Sequence, residues 1–266
     1  MAARLAEQDT ANGLLGAGDP APFEIVNAGG RGAPLVLLCD HASNAIPAAL
    51  GTLGLEPERL ADHIAWDIGA AAVARRLSVL FDVPLVVSGY SRLVIDCNRQ
   101  LHDPTSIAAV SDAVAVPGNT DVSAREARAR ADACFHPYHG AIREVLACRA
   151  GEREHIAIVP IHSFTPVFGG FRRPWQIGVL WDEDGRLAVP FIDALEARGG
   201  VSVGDNEPYS ARENFGYSIE EHGAREGRPH MIVEIRQDLI ADADGCETWS
   251  GIVAEALGSA LGSLEQ

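Results

Sequence analysis

Short apolar runs rich in β-branched residues alternate along the chain with stretches whose apolar positions recur every three to four residues. The first pattern fits a strand and the second a helix buried along one face. Strands are accordingly predicted over residues 34–40, 84–88, 93–96, 156–162, 177–181 and 231–235, and helices over 57–80, 123–150, 187–198 and 246–261. Several of the strands are apolar throughout, as central strands covered on both faces are. The alternation as a whole predicts an α/β sheet layered with helices on both sides.

Two segments break the rhythm. Residues 103–121 carry Pro104, Pro117 and Gly118 with no clear period, and 204–229 are rich in Asn, Gly, Pro, Tyr and Arg. Loops of this length in a compact domain tend to be functional. No internal repeat or linker divides the chain, which predicts one catalytic domain over residues 21–266. The Ala/Gly-rich residues 1–20 lack a basic start and a long apolar core, and read as a loosely ordered arm rather than a leader or anchor.

In an open α/β sheet the ligand lies beyond the carboxyl ends of the strands. Polar residues that follow an apolar run are therefore the ones to collect. LVLLCDH delivers Asp40 and His41, RLVIDCNR delivers Asp96, Asn98 and Arg99, AIVPIHS delivers His162 and Ser163, and MIVEIRQD delivers Glu234 and Arg236, while Asp67 sits in the helical pattern HIAWDIG. Two His from separate strands and a carboxylate make a three-ligand metal site with an open position. A carboxylate that is not a ligand can then serve as base, and Glu234 is the candidate. In HPYH, His136 and His139 stand at i, i+3 and could chelate a metal, but one exposed and one satisfied His fits as well, and His139 is at best a supporting residue. A serine nucleophile at Ser43 or Ser163 is disfavoured because neither lies in a GxSxG.

Charge narrows the function further. The formal net charge is −16, a field that repels phosphate backbones and anionic membranes, so neither nucleic acid nor a membrane is an expected partner. All 21 basic residues are Arg. Without Lys there is no pyridoxal Schiff base, no P-loop lysine and no Ser/Lys hydrolase. Arg92, Arg99 and Arg212 are candidate anion receptors, since a guanidinium grips a carboxylate through two parallel hydrogen bonds. The five cysteines are odd in number with no CxxC pair, which fits reduced thiols and a cytoplasmic location.

Taken together, CDHASNAIP, HIAWDIGA, SRLVIDCNR, HPYH, IHSFTP, NEPYS, GYSIEEHG and VEIRQDL, spread over residues 35–240, resemble the N-formylglutamate amidohydrolase family. The resemblance implies a three-layer α/β/α sandwich with a mixed central sheet, phosphorylase/hydrolase-like and distantly similar to zinc carboxypeptidases and aspartoacylases. It implies metal-dependent hydrolysis of N-formyl amino acids, of the N-formyl-L-glutamate type, to formate and the free amino acid. It implies His41 and His162 as first and last ligands of a divalent metal, zinc by preference, and Glu234 as the base. Asn98 and Arg99 take the substrate carboxylate, joined by Arg212 and Asn206, and Arg92 steadies the oxyanion.

One position departs from the pattern of the distant relatives. Three residues after His41 stands Asn44 where they carry Glu, and a neutral amide is a poor ligand. The missing carboxylate is then Asp67 or, failing that, Asp40. The expected partner is a small anionic amino-acid derivative, with a homo-oligomer left open. Competing readings on this scaffold are a broader N-acyl amino acid amidohydrolase, a small carboxypeptidase, and a metal-free anion-binding protein that has lost catalysis.

Overall fold

The computed structural model describes residues 13–150, 156–212 and 216–264. In chain order the strands are β1 (Phe23–Val26), β2 (Leu35–Cys39), β3 (Leu85–Ser88), β4 (Val110–Ser111), β5 (Val114–Ala115), β6 (Ala157–Phe164), β7 (Val167–Phe168), β8 (Phe171–Arg172), β9 (Ile177–Leu180), β10 (Val203–Asp205) and β11 (Ile232–Arg236). Seven of them form one sheet in the order β1-β3-β2-β6-β11-β9-β10. Strands β3, β2, β6 and β11 are mutually parallel, whereas β1 and the β9–β10 pair run the other way. The sheet is mixed.

The helices are α1 (Pro57–Leu60), α2 (Ala70–Phe81), α3 (Ala124–Arg130), α4 (His136–Ala150), α5 (Gly185–Arg198), α6 (Tyr217–His222) and α7 (Ala243–Leu264). Alternation along β2 shows how they flank the sheet. Leu35, Leu37 and Cys39 join a core with Val73 and Leu77 of α2, Phe191 of α5 and Val253 of α7, while Val36 and Leu38 join a second core with Tyr138 and Ile142 of α4. A period of two thus serves two helical layers, and the result is the expected α/β/α sandwich.

Three expectations change. Residues 57–80 do not form one helix: the chain turns between α1 and α2. The break is enforced at Gly69, whose φ is +81° and where a Cβ would stand 2.1 Å from the Ile240 carbonyl oxygen. Only glycine fits there. Residues 93–96 are not a strand. The Leu93 carbonyl accepts from Asn119 Nδ2 at 2.8 Å and the Val94 carbonyl from Arg130 Nη1 at 3.1 Å, so side chains supply what a neighbouring strand would. The segment 103–121 holds the β4–β5 hairpin and a 3-10 turn over Pro117–Asn119, and 204–229 holds α6.

Strand β1 is four residues with no apolar run long enough to announce it. Residues 1–12 of the expected arm lie outside the described residues. Leu14 and Leu15 pack beside Tyr90 and Ile95, and Asp19 accepts a hydrogen bond from the Ala48 amide at 2.9 Å. Among the described residues no helix is long and apolar enough to cross a membrane.

Candidate active site

His41 follows β2, His162 lies in β6, and Asp67 stands in the turn that Gly69 closes. The Asp67 amide donates to the His41 carbonyl at 3.0 Å, which draws the turn against the strand end. One ligand atom from each of the three residues lies within 4.8 Å of the others, and all three residues are buried. Asp67 Oδ2 is 2.7 Å from His162 Nδ1 and 3.3 Å from His41 Nδ1. Both imidazoles therefore turn the same nitrogen toward one carboxylate oxygen.

Their other nitrogens are held by two further buried carboxylates. His41 Nε2 is 2.7 Å from Asp96 Oδ1, and His162 Nε2 is 3.0 Å from Asp40 Oδ2. With an ion on the inner side, the carboxylate behind each ring would accept from Nε2 and free the Nδ1 lone pair as a ligand, the support a metal-ligating histidine commonly has. The charge points the same way. Against the cost of burial, Asp96 and Asp67 raise the pKa of His41, and Asp40 and Asp67 raise that of His162 well above the usual value; were an ion to replace those two protons, Asp40, Asp67 and Asp96 would be opposed by the Arg92 guanidinium alone, which bridges Asp96 at 2.9 Å and Asp67 at 3.4 Å. That leaves two negative charges in a buried cluster, the amount a divalent cation cancels. The donor set fits such an ion, and Asn44 is not part of it: exposed, it donates to the Leu60 carbonyl at 2.9 Å.

Asp40 is the most heavily supported carboxylate. Besides His162, it accepts from Tyr138 OH at 2.8 Å and Ser218 Oγ at 2.6 Å. Burial pushes its pKa up, but the hydrogen bond and charge of His162 outweigh that and hold it at about 2. Tyr138 reaches it from α4, which a π-helical turn over Ala131–Phe135 joins to α3. In HPYH the residue that serves the site is thus Tyr138. His139 bonds the Cys97 carbonyl and His222, and His136 is 3.7 Å from Asp132.

Glu234 on β11 stands opposite His162 on β6. Its neighbours Val233 and Ile235 face the core of α2, α5 and α7, so alternation sends Glu234 to the opposite face. It is 7% exposed, and its Oε2 has no hydrogen-bond partner. Burial raises its pKa to about 7, against the pull of the His162 charge.

A cavity of about 900 Å³ opens over these groups, lined by Glu234, Arg92, Asn98, Arg99 and Asn206 together with His41, Asp67 and His162. Arg212 is absent from the lining. Its guanidinium lies over the Trp181 ring at 4.6 Å. Asn98 Oδ1 accepts from the Ser218 amide, which leaves its NH₂ for a ligand. Asn206 is occupied in shaping its own loop, its Oδ1 accepting from the Trp181 and Ala211 amides. Tyr209, unremarked in NEPYS, lines the cavity and accepts from Arg173 Nη2 at 3.0 Å.

The mixed α/β/α sheet thus carries a buried His/Asp/His cluster that could hold a metal ion, with an unpartnered Glu beside it. The comparisons give the family. The N-formylglutamate amidohydrolase model matches residues 33–241, and the chain belongs to that family. Over 95% of its length it is 37% identical to all of the gene product Atu2144 from Agrobacterium tumefaciens, with a TM-score of 0.91. It is 22% identical over 92% of its length to the N-formylglutamate amidohydrolase from Ralstonia eutropha JMP134, covering 99% of that chain with a TM-score of 0.66. An aspartoacylase family protein from Mesorhizobium loti is a remoter likeness at 13% identity and a TM-score of 0.34, over 84% of this chain and 57% of that one. No curated protein matches.

Proposed function

We propose that this protein hydrolyses the amide of an N-formyl amino acid, releasing formate and the free amino acid, with a divalent ion held by His41, Asp67 and His162. Family membership supports the reaction type. The observation that carries the reading is Glu234: a buried carboxyl with an unpartnered oxygen, facing the cavity beside His162. A carboxyl is costly to bury without a partner. With a pKa of about 7 it can both accept and return a proton at neutral pH.

Zinc suits two imidazoles and a carboxylate, and when bound such an ion supplies Lewis acidity toward water and the amide carbonyl. Glu234 takes a proton from the attacking water as its oxygen bonds to the formyl carbon. The same carboxyl gives that proton to the nitrogen as the C–N bond breaks, so the water's atoms are shared between formate and the amine. Arg92, fixed by Asp67 and Asp96, places positive charge where the carbonyl oxygen becomes negative. Arg99 and the Asn98 NH₂ receive the α-carboxylate.

Arg99 is the better receptor because its guanidinium makes no ion pair with the described residues. Reduced thiols fit a cytoplasmic setting: Cys39, Cys97, Cys134 and Cys246 are free and buried, and Cys148 is free and exposed. The test is formate release from N-formyl amino acids with zinc, manganese or cobalt added. Activity on N-acetyl amino acids or peptides but none on N-formyl compounds would instead support the broader amidohydrolase or carboxypeptidase reading.

A further inference from the structure

Arg173 is a buried cation without a counter-ion. It is 4% exposed, and no carboxylate pairs with it among the described residues. Three aromatic rings enclose it instead. Its guanidinium carbon lies 4.8 Å from the Tyr209 ring centre, 4.9 Å from that of Phe168 and 5.6 Å from that of Phe164. Nη1 donates to the Thr165 carbonyl at 3.1 Å and Nη2 to the Tyr209 hydroxyl at 3.0 Å. Ring faces offset part of the cost of burying a charge but do not neutralise it. An anion is the missing partner.

Tyr209 carries that positive potential to the cavity. It lines the cavity together with Phe164, Thr165 and Phe168, and the charges of both Glu234 and Arg92 act on its phenol. The hydroxyl oxygen accepts from Arg173, while its own proton has no acceptor among the described residues. Burial pushes the phenol's pKa above its ordinary value, so the proton stays in place near neutrality. A hydroxyl polarised from behind by a guanidinium, with its proton uncommitted, is a donor suited to a carboxylate.

The order of the sheet sets this donor across the site from Arg99. Glu234 is on β11, between β6 and β9. Tyr209 follows β10, in a segment that the Asn206 amide ties to the Val179 carbonyl of β9 at 2.9 Å. Arg99 lies on the β2 side, its amide bonded to the carbonyl of Asp96, the residue that holds His41. A substrate with two carboxylates can therefore reach a receptor on each flank while its amide lies over Glu234.

We infer that the Tyr209 hydroxyl, held and polarised by Arg173, receives the side-chain carboxylate of the substrate, while Arg99 receives the α-carboxylate. This rests on the N-formyl hydrolase reading above and deepens it, because it assigns the residues that tell an acidic side chain from a neutral one. Arg173 acts through Tyr209: it fixes the hydroxyl by occupying its oxygen, and it supplies the charge that a neutral phenol lacks.

The test is kcat and KM for formate release by the metal-supplemented full-length protein from N-formyl-L-glutamate, N-formyl-L-glutamine and N-formyl-L-leucine. Glutamate should exceed both others at least about tenfold in kcat/KM. Tyr209→Phe should cut the glutamate-to-leucine ratio at least about tenfold, through KM rather than kcat. Arg173→Met should cut the glutamate-to-glutamine ratio by a similar factor, and Arg173→Lys, which keeps the charge, should restore most of it. Arg99→Leu should instead lower kcat/KM for all three compounds, with the ratios kept within about threefold. Should Arg173→Met fail to fold, Tyr209→Phe, which deletes one oxygen, decides alone. A glutamate-to-leucine ratio unchanged in Tyr209→Phe, or one that collapses in Arg99→Leu instead, overturns the inference while leaving the reaction intact. No formate from any of the three overturns the N-formyl reading itself, and this inference falls with it.

Discussion

Glu234 stands directly opposite His162 across the parallel β6–β11 pair, both on the sheet face that opens to the cavity. The pairing fixes the distance between the proposed base and one candidate metal ligand by backbone register, with no loop between them. Glu234→Gln keeps the shape and removes the proton acceptor. Formate release should fall about 10²–10⁴-fold with bound metal retained, checked by steady-state rates alongside metal content.

The third-ligand assignment separates two positions. Asp67→Ala should lower metal affinity at least about tenfold, because a ligand is lost, whereas Asn44→Ala should leave it within about twofold. Titration of the purified variants with zinc against a chelating indicator reads this directly.

The Asp40 support can be dissected by Tyr138→Phe. The hydroxyl donates to a buried charge at 2.8 Å, and its removal leaves Ser218 and His162 on that carboxylate. A loss of about 1.5–3 kcal/mol in urea unfolding is expected. Catalysis should suffer much less than in Glu234→Gln.

Gly69→Ala should be severe, because Gly69 closes the turn that carries Asp67. The added methyl meets the Ile240 carbonyl at 2.1 Å, and the φ of +81° is strained for any side chain. Destabilisation of at least about 2 kcal/mol is expected, with loss of metal affinity as the turn carrying Asp67 shifts.

His139 and His222 share a buried hydrogen bond of 2.9 Å, and burial lowers their pKa values to about 4 and about 3. Both are neutral in the folded protein near neutrality, and in the unfolded chain they titrate near the ordinary value of about 6.5. Their contribution to stability is complete above pH 6.5 and is lost as pH falls toward 3, because the unfolded state takes up protons first. Urea midpoints should fall across that window, and His222→Asn should make the fall shallower. An unchanged slope would show that the pair does not titrate as its burial requires.

The parts of this site legible in the sequence are those at the ends of apolar runs. His41 follows the apolar strand β2, and His162 and Glu234 interrupt β6 and β11. Asp67 was visible only as a carboxylate in an apparently continuous helical period, since the turn that exposes it depends on the contact between Gly69 and Ile240. Asp96 looked like the end of a strand, yet it is held by a loop whose carbonyls bond to Asn119 and Arg130. Tyr138 and Ser218 meet Asp40 from 98 and 178 positions away, and no local pattern announces contacts of that range. Arg212 shows a further limit of local pattern: a guanidinium in a polar loop can lie on an aromatic ring as readily as on a ligand, and here it lies over Trp181.

The most direct test of the account is formate release from N-formyl amino acids by the same protein sample as purified, after removal of metal by chelation, and after zinc or manganese is restored. The account predicts activity that is lost with the metal and returns as about one ion binds per chain. Hydrolysis that continues undiminished in the metal-free protein would contradict it.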